Sequence, residues 1–198
     1  MLRRRLLLTL SACVLAVLAA SCASTPPLSI EDYAAAAGEA SAEYVAESQQ
    51  LSVTYQDKVS KGVSAIVETG SDTAIDEATT LVRTETVMYL ALLDDAILRY
   101  IAAMESLAPP ASVEALHDEY VEIAHSVQST LPGLRDGISE AASIPDIQGA
   151  LFTSGFSDGQ AAWLARCEAL EQGVRDAGRG VDLKCVRRDV MAAEGDSP

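Results

Sequence analysis

Residues 112–139, SVEALHDEYVEIAHSVQSTLPGLRDGIS, decide the fold of this chain. Apolar side chains recur there every three or four positions: Val113, Leu116, Tyr120, Ala124, Val127, Leu131, Leu134 and Ile138. This spacing places them on one face of an α-helix, and such a face must be buried against other helices. The stretch therefore predicts one member of a helical bundle. Because Pro132 lacks a backbone N–H and is followed by Gly133, we expect a kink or a break there.

Apolar stripes of the same kind lie on both sides of this segment. Three further helices are predicted, over about residues 29–68, 73–107 and 144–178. The first should begin at Ser29, a capping residue with an acid three positions later at Asp32. Four segments of similar length with short connections predict an all-α, up-and-down four-helix bundle. Since helices of about 30 to 38 residues are longer than average, one or two of them should be broken.

The chain opens with a basic cluster, an apolar run and small residues. Three arginines at positions 3–5 precede the apolar residues 6–18, and Ala-Ala-Ser then leads to Cys22. This order is typical of a secretory signal peptide. A membrane-spanning helix is disfavoured because residues 6–21 are fewer than the ~20 needed to cross the hydrocarbon core.

Cys22 directly follows the small residues, and this arrangement resembles the lipobox of bacterial lipoproteins. The resemblance implies cleavage before Cys22, attachment of a fatty acid such as palmitate, and anchoring on the extracytoplasmic side of the cell envelope. We therefore divide the chain into a signal peptide (1–21), a lipidated cysteine with its tether (22–28) and a helical-bundle domain (29–198).

The charge of the chain excludes one class of partner. The formal net charge is −15, and removal of the signal peptide would leave 11 basic against 29 acidic residues, a net charge of −18. So acidic a protein repels nucleic acid and anionic lipid headgroups. We expect no nucleic-acid partner, and the membrane should be reached through the lipid alone.

Two cysteines remain once Cys13 leaves with the signal peptide and Cys22 carries lipid. In an exported chain, Cys167 and Cys185 are most simply joined in a disulfide. The helix should run ~16 Å beyond Cys167, and the residues after Gly178 can return ~23 Å when extended. The sequence thus predicts an extended C-terminal tail that a disulfide ties back to the bundle.

Two parts of the chain resemble segments of uncharacterised helical lipoproteins of bacteria. One part comprises residues 107–110 (LAPP) and 116–121 (LHDEYV), and the other comprises residues 167–171 (CEALE) and 181–185 (VDLKC). The resemblance implies an extracytoplasmic helical bundle with a C-terminal disulfide. The resemblance gives no information about a catalytic activity.

Two Glu-x-x-His motifs suggest a metal site, one ending at His117 and the other at His125. This spacing serves di-iron bundles when the motifs come from two different helices. Here both motifs lie on one helix, with the histidines ~12 Å apart along its axis, so they should not share an ion. His117, at the edge of the apolar stripe, remains a candidate ligand. The alternative is that both are surface histidines of an acidic helix.

Other candidate binding residues lie on the first two helices. Asp94 falls near the core stripe and is a candidate for binding a cation or polar ligand; alternatively it is a carboxylate at the bundle edge. Tyr33, Tyr44 and Tyr55 recur every eleven residues and share one line of the first helix. Their row either lines a ligand groove or marks the core boundary, with rings inside and hydroxyls in water.

Nothing in the chain assembles a catalytic set. Gly155-Phe-Ser-Asp-Gly159 matches the G-x-S-x-G elbow of hydrolases, but no strand precedes it and both histidines come earlier in the chain. We therefore expect a non-enzymatic, lipid-anchored envelope protein without a cofactor, acting as a helical interaction or scaffolding module for a protein partner. The alternative is an extracytoplasmic bundle that binds a metal or a small ligand.

Overall fold

The computed structural model describes residues 26–185, and this part of the chain is all-helical. Its helices are α1 (Ile30–Glu68), α2 (Ala74–Glu105), α3 (Glu114–Glu140), α4 (Ile144–Thr153) and α5 (Phe156–Asp176). The all-α prediction is confirmed for these residues. The predicted signal peptide, Cys22 and the last residues of the domain lie outside the described residues. Within the described part, no helix combines the length and the apolar character that crossing a membrane requires.

Serine side chains set the start of two helices. Ser29 Oγ accepts a hydrogen bond from the backbone N–H of Asp32 at 3.1 Å, as the sequence predicted. Ser143 Oγ accepts from the N–H of Asp146 at 3.3 Å and starts α4 in the same way. Each serine satisfies a backbone donor that the first turn of a helix leaves without a partner. These caps fix where the chain turns from connection to helix.

The structure has a helix break at a different position from the one predicted at Pro132. Helix α3 runs without a break through Pro132, where the sequence predicted a kink or break. Leu131 and Leu134 on either side are fully buried, so core packing holds the helix despite the hydrogen bond that proline removes. The fourth predicted helix is divided instead, into α4 and α5, at Gly155. That residue has φ 72°, a left-handed conformation that favours glycine.

The core lies where α2 and α3 pack together, with α1, α4 and α5 around them. One cluster of buried side chains joins α2 to the C-terminal half of α3 and to α4. The other joins the start of α1, the end of α2, the start of α3 and α5. Leu183, in the extended segment after α5, belongs to this second cluster and is buried. The C-terminal segment therefore contributes to the core although it has no regular structure.

The C-terminal half of α1 and the N-terminal part of α2 are much less buried than the rest of these two helices. No residue of α1 beyond Ser48 is buried, and Val53 and Ile75 are 61% and 82% exposed. The apolar stripe predicted along the whole of α1 is therefore only partly covered in its second half, where α2 supplies its cover. Gly62 lies at this contact, and a Cβ atom at position 62 would overlap the Leu81 side chain. The missing side chain lets α1 and α2 approach closely.

Replacing Gly62 by alanine should raise the melting temperature less than the same change at Gly133. A Cβ at position 62 displaces the end of the half-buried Leu81 side chain, and this offsets part of the gain in helix propensity. Gly133→Ala in α3 is the matched control, because a Cβ there meets no atom within 4 Å. That control should gain up to about 1 kcal/mol of helix propensity. Thermal unfolding followed by circular dichroism compares the two variants, and equal shifts would contradict the close-approach role of Gly62.

Candidate functional site

A buried polar contact joins α1 to α3. The Tyr33 hydroxyl lies 2.9 Å from Nδ1 of His117, and the two rings meet edge to face. Tyr33 is 0% exposed and His117 is 4% exposed. Two sequence interpretations are therefore wrong at these positions. His117 is a buried residue and not a surface histidine, and the Tyr33 hydroxyl is enclosed by the core and not in water.

Burial fixes the protonation state of this pair. It raises the pKa of Tyr33, and it lowers the pKa of His117 although the nearby Asp118 carboxylate acts in the opposite direction. At neutral pH the phenol thus keeps its proton and the imidazole is uncharged. The Tyr33 hydroxyl and Nδ1 of His117 share one hydrogen bond, and the tautomer of the neutral imidazole decides which of the two donates.

A second hydroxyl chain runs through the bundle beside this pair. The Tyr100 hydroxyl lies 2.9 Å from Ser41 Oγ and 2.7 Å from the Tyr120 hydroxyl. Tyr44 stacks on Tyr100 with ring centroids 5.0 Å apart. Trp163 contacts the same rings, and its indole nitrogen is buried without a regular hydrogen bond among the described residues. Burial raises the pKa of Tyr100, so its hydroxyl remains a neutral donor.

The tyrosine row of α1 does not line a single groove. Tyr33 contacts His117, whereas Tyr44 faces the aromatic cluster. The Tyr55 hydroxyl lies 2.9 Å from Thr86 Oγ1 on α2. The three side chains therefore reach three different places along the bundle. The eleven-residue spacing describes their common line on α1. The aromatic partners of Tyr44 come from other helices, and the sequence alone does not indicate that they meet: Tyr100, Tyr120 and Trp163.

Both Glu-x-x-His motifs open onto one groove, which we call the corner groove. It lies between the end of α2 and the first half of α3, and its volume is about 510 Å³. Its lining residues are Glu105, Leu107, Pro109, Glu114, His117, Asp118, Val121, Glu122 and His125. His125 is half-exposed there, and its Nε2 lies 2.7 Å from Glu105 Oε1. Among the described residues, no group of three histidine, cysteine, aspartate or glutamate side chains is placed to hold a metal ion.

Asp94 lies away from the corner groove, at the contact between α2 and α3. Its Oδ1 accepts a hydrogen bond from Gln128 Nε2 at 2.8 Å, and its Oδ2 lies 3.6 Å from Arg135 Nη1. The side chain is 13% exposed. Both oxygens therefore face polar groups of α3, and the carboxylate connects the two central helices at the edge of the core.

The serine of the hydrolase-like motif has no catalytic surroundings among the described residues. Ser157 is exposed in the first turn of α5, and the segment before it is helix α4 instead of a strand. Its neighbour Phe156 is the buried member of the motif. The two glycines have different structural roles: Gly155 allows the left-handed conformation of the turn, whereas Gly159 lies inside α5 and close to Val127 of α3.

The two C-terminal cysteines lie together in the structure. Their sulfur atoms are paired, and their Cα atoms are 5.7 Å apart. The neighbouring Leu183 N–H donates to Glu171 Oε1 at 2.7 Å. The tail segment also passes close to Gly38 of α1, since a Cβ there would meet Val181 at 3.7 Å. The tail thus contacts α1 and α5 next to the second core cluster.

Comparison with known proteins gives no relative: no protein family, curated protein or solved structure matches this chain.

The buried state of His117 predicts a specific loss of stability on mild acidification. The unfolded chain takes up the histidine proton near pH 6.5, whereas the folded chain resists it because burial lowers the pKa of His117. This contribution is complete above pH 6.5 and is lost as the pH falls towards the folded pKa. The free energy of unfolding should therefore decrease between pH 7.5 and pH 5.5, as measured by urea denaturation.

His117→Asn supplies the control for this experiment. The asparagine amide oxygen can accept a hydrogen bond from the Tyr33 hydroxyl, and the amide does not titrate in this pH range. The variant should lose less stability than the wild type over the same interval. An equal loss in both proteins would mean that other groups cause the pH dependence.

Proposed function

We propose that this chain is a non-enzymatic, lipid-anchored protein of the bacterial cell envelope whose helical bundle binds another envelope component. The observation that carries the binding role is the corner groove. It is an open groove of about 510 Å³, a volume within the range of ligand sites. One buried polar side chain, His117, lines the groove and is held in place by its hydrogen bond with Tyr33. A few positioned polar groups in a groove are typical of ligand sites.

The position of this groove fits a protein held at a membrane by Cys22. The backbone N–H of Leu28 donates to the carbonyl of Ala108 at 2.8 Å, which places the start of α1 beside the connection that borders the groove. From Cys22 to Ser29, seven residues can extend at most ~25 Å. A lipid on Cys22 would therefore keep the corner groove near the membrane surface, where an envelope partner can reach it.

The order of helix contacts supports the finer topology that we propose. Helix α1 packs mainly on α2, α2 on α3, and α3 on α5. With short connections, this order fits an up-and-down bundle in which α4 and α5 together form the fourth segment. We further propose that Cys167 and Cys185 are oxidised in the exported protein. Closing a loop of this length would add roughly 3 kcal/mol in the chain-entropy model.

A second candidate function is the binding of a small ligand in the same groove. The lining of the groove favours it, because a fixed imidazole and several carboxylates would suit a small cationic molecule. A metal ion is a poorer fit at His117, because among the described residues no group of three ligating side chains is placed to hold one. Native mass spectrometry of protein purified from the envelope would reveal a retained small ligand.

Cys22→Ala should abolish lipid attachment. The alanine has no thiol to modify, so a fatty-acid analogue fed to the producing bacteria should label the wild type and not the variant. Cys13→Ala is the matched control, because residue 13 lies inside the proposed signal peptide and its replacement should leave the label unchanged. Equal labelling of wild type and Cys22→Ala would refute the lipid anchor.

Mass spectrometry of the mature protein without reduction should find Cys167 linked to Cys185. Reduction should lower the melting temperature and leave the helical content nearly unchanged, because the apolar faces of α2 and α3 define the bundle. Circular dichroism before and after reduction measures both effects. Two free thiols in protein isolated from the envelope would contradict the proposed bond.

A further inference from the structure

We propose that the segment from Gly178 to Cys185 is a redox-sensitive strap. The Cys167–Cys185 bond holds this strap in the seam between α1 and α5, and reduction of the bond releases it while the helices stay folded. The inference rests on the disulfide proposed above, and it is independent of the lipid anchor and of the corner groove. It follows from the seam that the strap covers, from the few other contacts that hold it, and from the unequal exposure of the two cysteines.

The strap fills a seam that the helices leave between them. Helix α1 packs mainly on α2, and α5 packs mainly on α3. Between α1 and α5, Leu183 of the strap is buried in the same cluster as Ala37 of α1 and Leu170 of α5. The strap backbone also passes Gly38 of α1, where a Cβ would lie 3.9 Å from the Asp182 carbonyl oxygen. Removal of the strap would therefore uncover small and apolar side chains of both helices.

Apart from the disulfide, few contacts hold the strap in this seam. Of the strap residues only Leu183 is buried, and its N–H donates to Glu171 Oε1 at 2.7 Å. Arg179 forms an ion pair with Glu31 of α1, and both side chains are at least half exposed. An ion pair in water contributes little to stability. The strap is thus held mainly by one apolar side chain and one hydrogen bond.

These contacts do not offset the entropy lost when the strap is ordered. Every residue that is fixed without the support of a helix loses backbone freedom, and one buried leucine with one hydrogen bond offsets that loss for only a few residues. Gly178 and Gly180 increase the loss, because glycine gives up the most conformational freedom on ordering. The disulfide makes the ordered strap favourable, since it restricts the opened segment to a short closed loop.

The two sulfur atoms of the bond differ in accessibility. Cys167 is 5% exposed, whereas Cys185 is half-buried. Thiol–disulfide exchange requires the attacking thiolate to reach a sulfur atom, so a dithiol reductant should attack Cys185. The S–S bond then breaks, its electron pair leaves on the Cys167 sulfur, and that thiolate takes up a proton. The second thiolate of the reductant attacks its own sulfur in the mixed disulfide and frees Cys185, so two electrons pass to the protein.

The bundle keeps its other contacts when the strap is released. Helix α1 retains the hydrogen bond of Tyr33 with His117 and that of Ser41 with Tyr100. Trp163 of α5 retains its ring contacts with the aromatic cluster. None of these contacts involves a strap residue. Reduction should therefore open the seam locally, as a segment of low stability opens while the rest of a protein stays folded.

Hydrogen exchange of protein purified from the producing cells in a neutral detergent tests the release. Mass spectrometry compares samples with and without the dithiol dithiothreitol. Amides of residues 181–185 should exchange about tenfold faster after reduction, whereas amides in the middle of α2 and α3 should keep their rates within about twofold. Cys167→Ser with Cys185→Ser is the matched control. This variant should exchange at the fast rate with or without dithiothreitol.

Glutathione tests which sulfur is attacked. A brief exposure to reduced glutathione, stopped with acid, should trap a mixed disulfide whose position is mapped by mass spectrometry. The tripeptide should be found on Cys185, with Cys167 as a free thiol, because the half-buried sulfur is the more accessible one. Glutathione found mainly on Cys167 would overturn the assignment of Cys185 as the point of attack.

Two exchange results would overturn the strap and leave the disulfide standing. One is an unchanged exchange rate of residues 181–185 after complete reduction. The other is a loss of protection throughout the helices, which would show that the bond supports the whole bundle and not a separate segment. Two free thiols before any reductant is added would instead refute the disulfide and the strap together. A protein without fatty acid that shows the expected exchange would contradict the lipid anchor alone.

Discussion

The structure depends on the need to satisfy hydroxyl groups buried inside the bundle. Leaving a buried donor without an acceptor costs about 1–3 kcal/mol, and helix α1 buries few large apolar side chains that could compensate. Its buried residues are Tyr33, Ala34, Ala37, Ser41 and Ser48. Small residues let α1 approach its neighbours closely. Hydrogen bonds of its hydroxyl groups then fix its position, because such bonds require a particular direction as well as contact. Tyr33 on His117 and Ser41 on Tyr100 therefore set how α1 lies on the core.

The sequence predicted the helices better than it predicted their breaks. Periodicity, the Ser29 cap and the polar residues after Glu68 locate α1 and α2 to within a few residues. Each of these signals lies within a short stretch of sequence, so it can be recognised without knowledge of the fold. The continuity of α3 through Pro132 depends on burial of its neighbours by other helices. A local rule about proline cannot anticipate that packing, which overrides the cost of the lost hydrogen bond.

The candidate site shows the same division between local and distant information. The Glu-x-x-His spacing identified His117, and the eleven-residue repeat identified Tyr33, but their hydrogen bond joins residues 84 positions apart. No single-sequence pattern predicts such a pairing, so His117 could only be placed at the edge of the stripe. Asp94 was placed correctly near the core, yet its partners Gln128 and Arg135 come from another helix.

The Tyr33–His117 pair also connects the corner groove to the start of α1. The hydrogen bond joins the first turn of α1 to α3, and His117 also lines the groove. Because both side chains are buried, a shift of the first turn of α1 would also displace the imidazole. The shape of the groove therefore depends on how the first turn of α1 packs against α3.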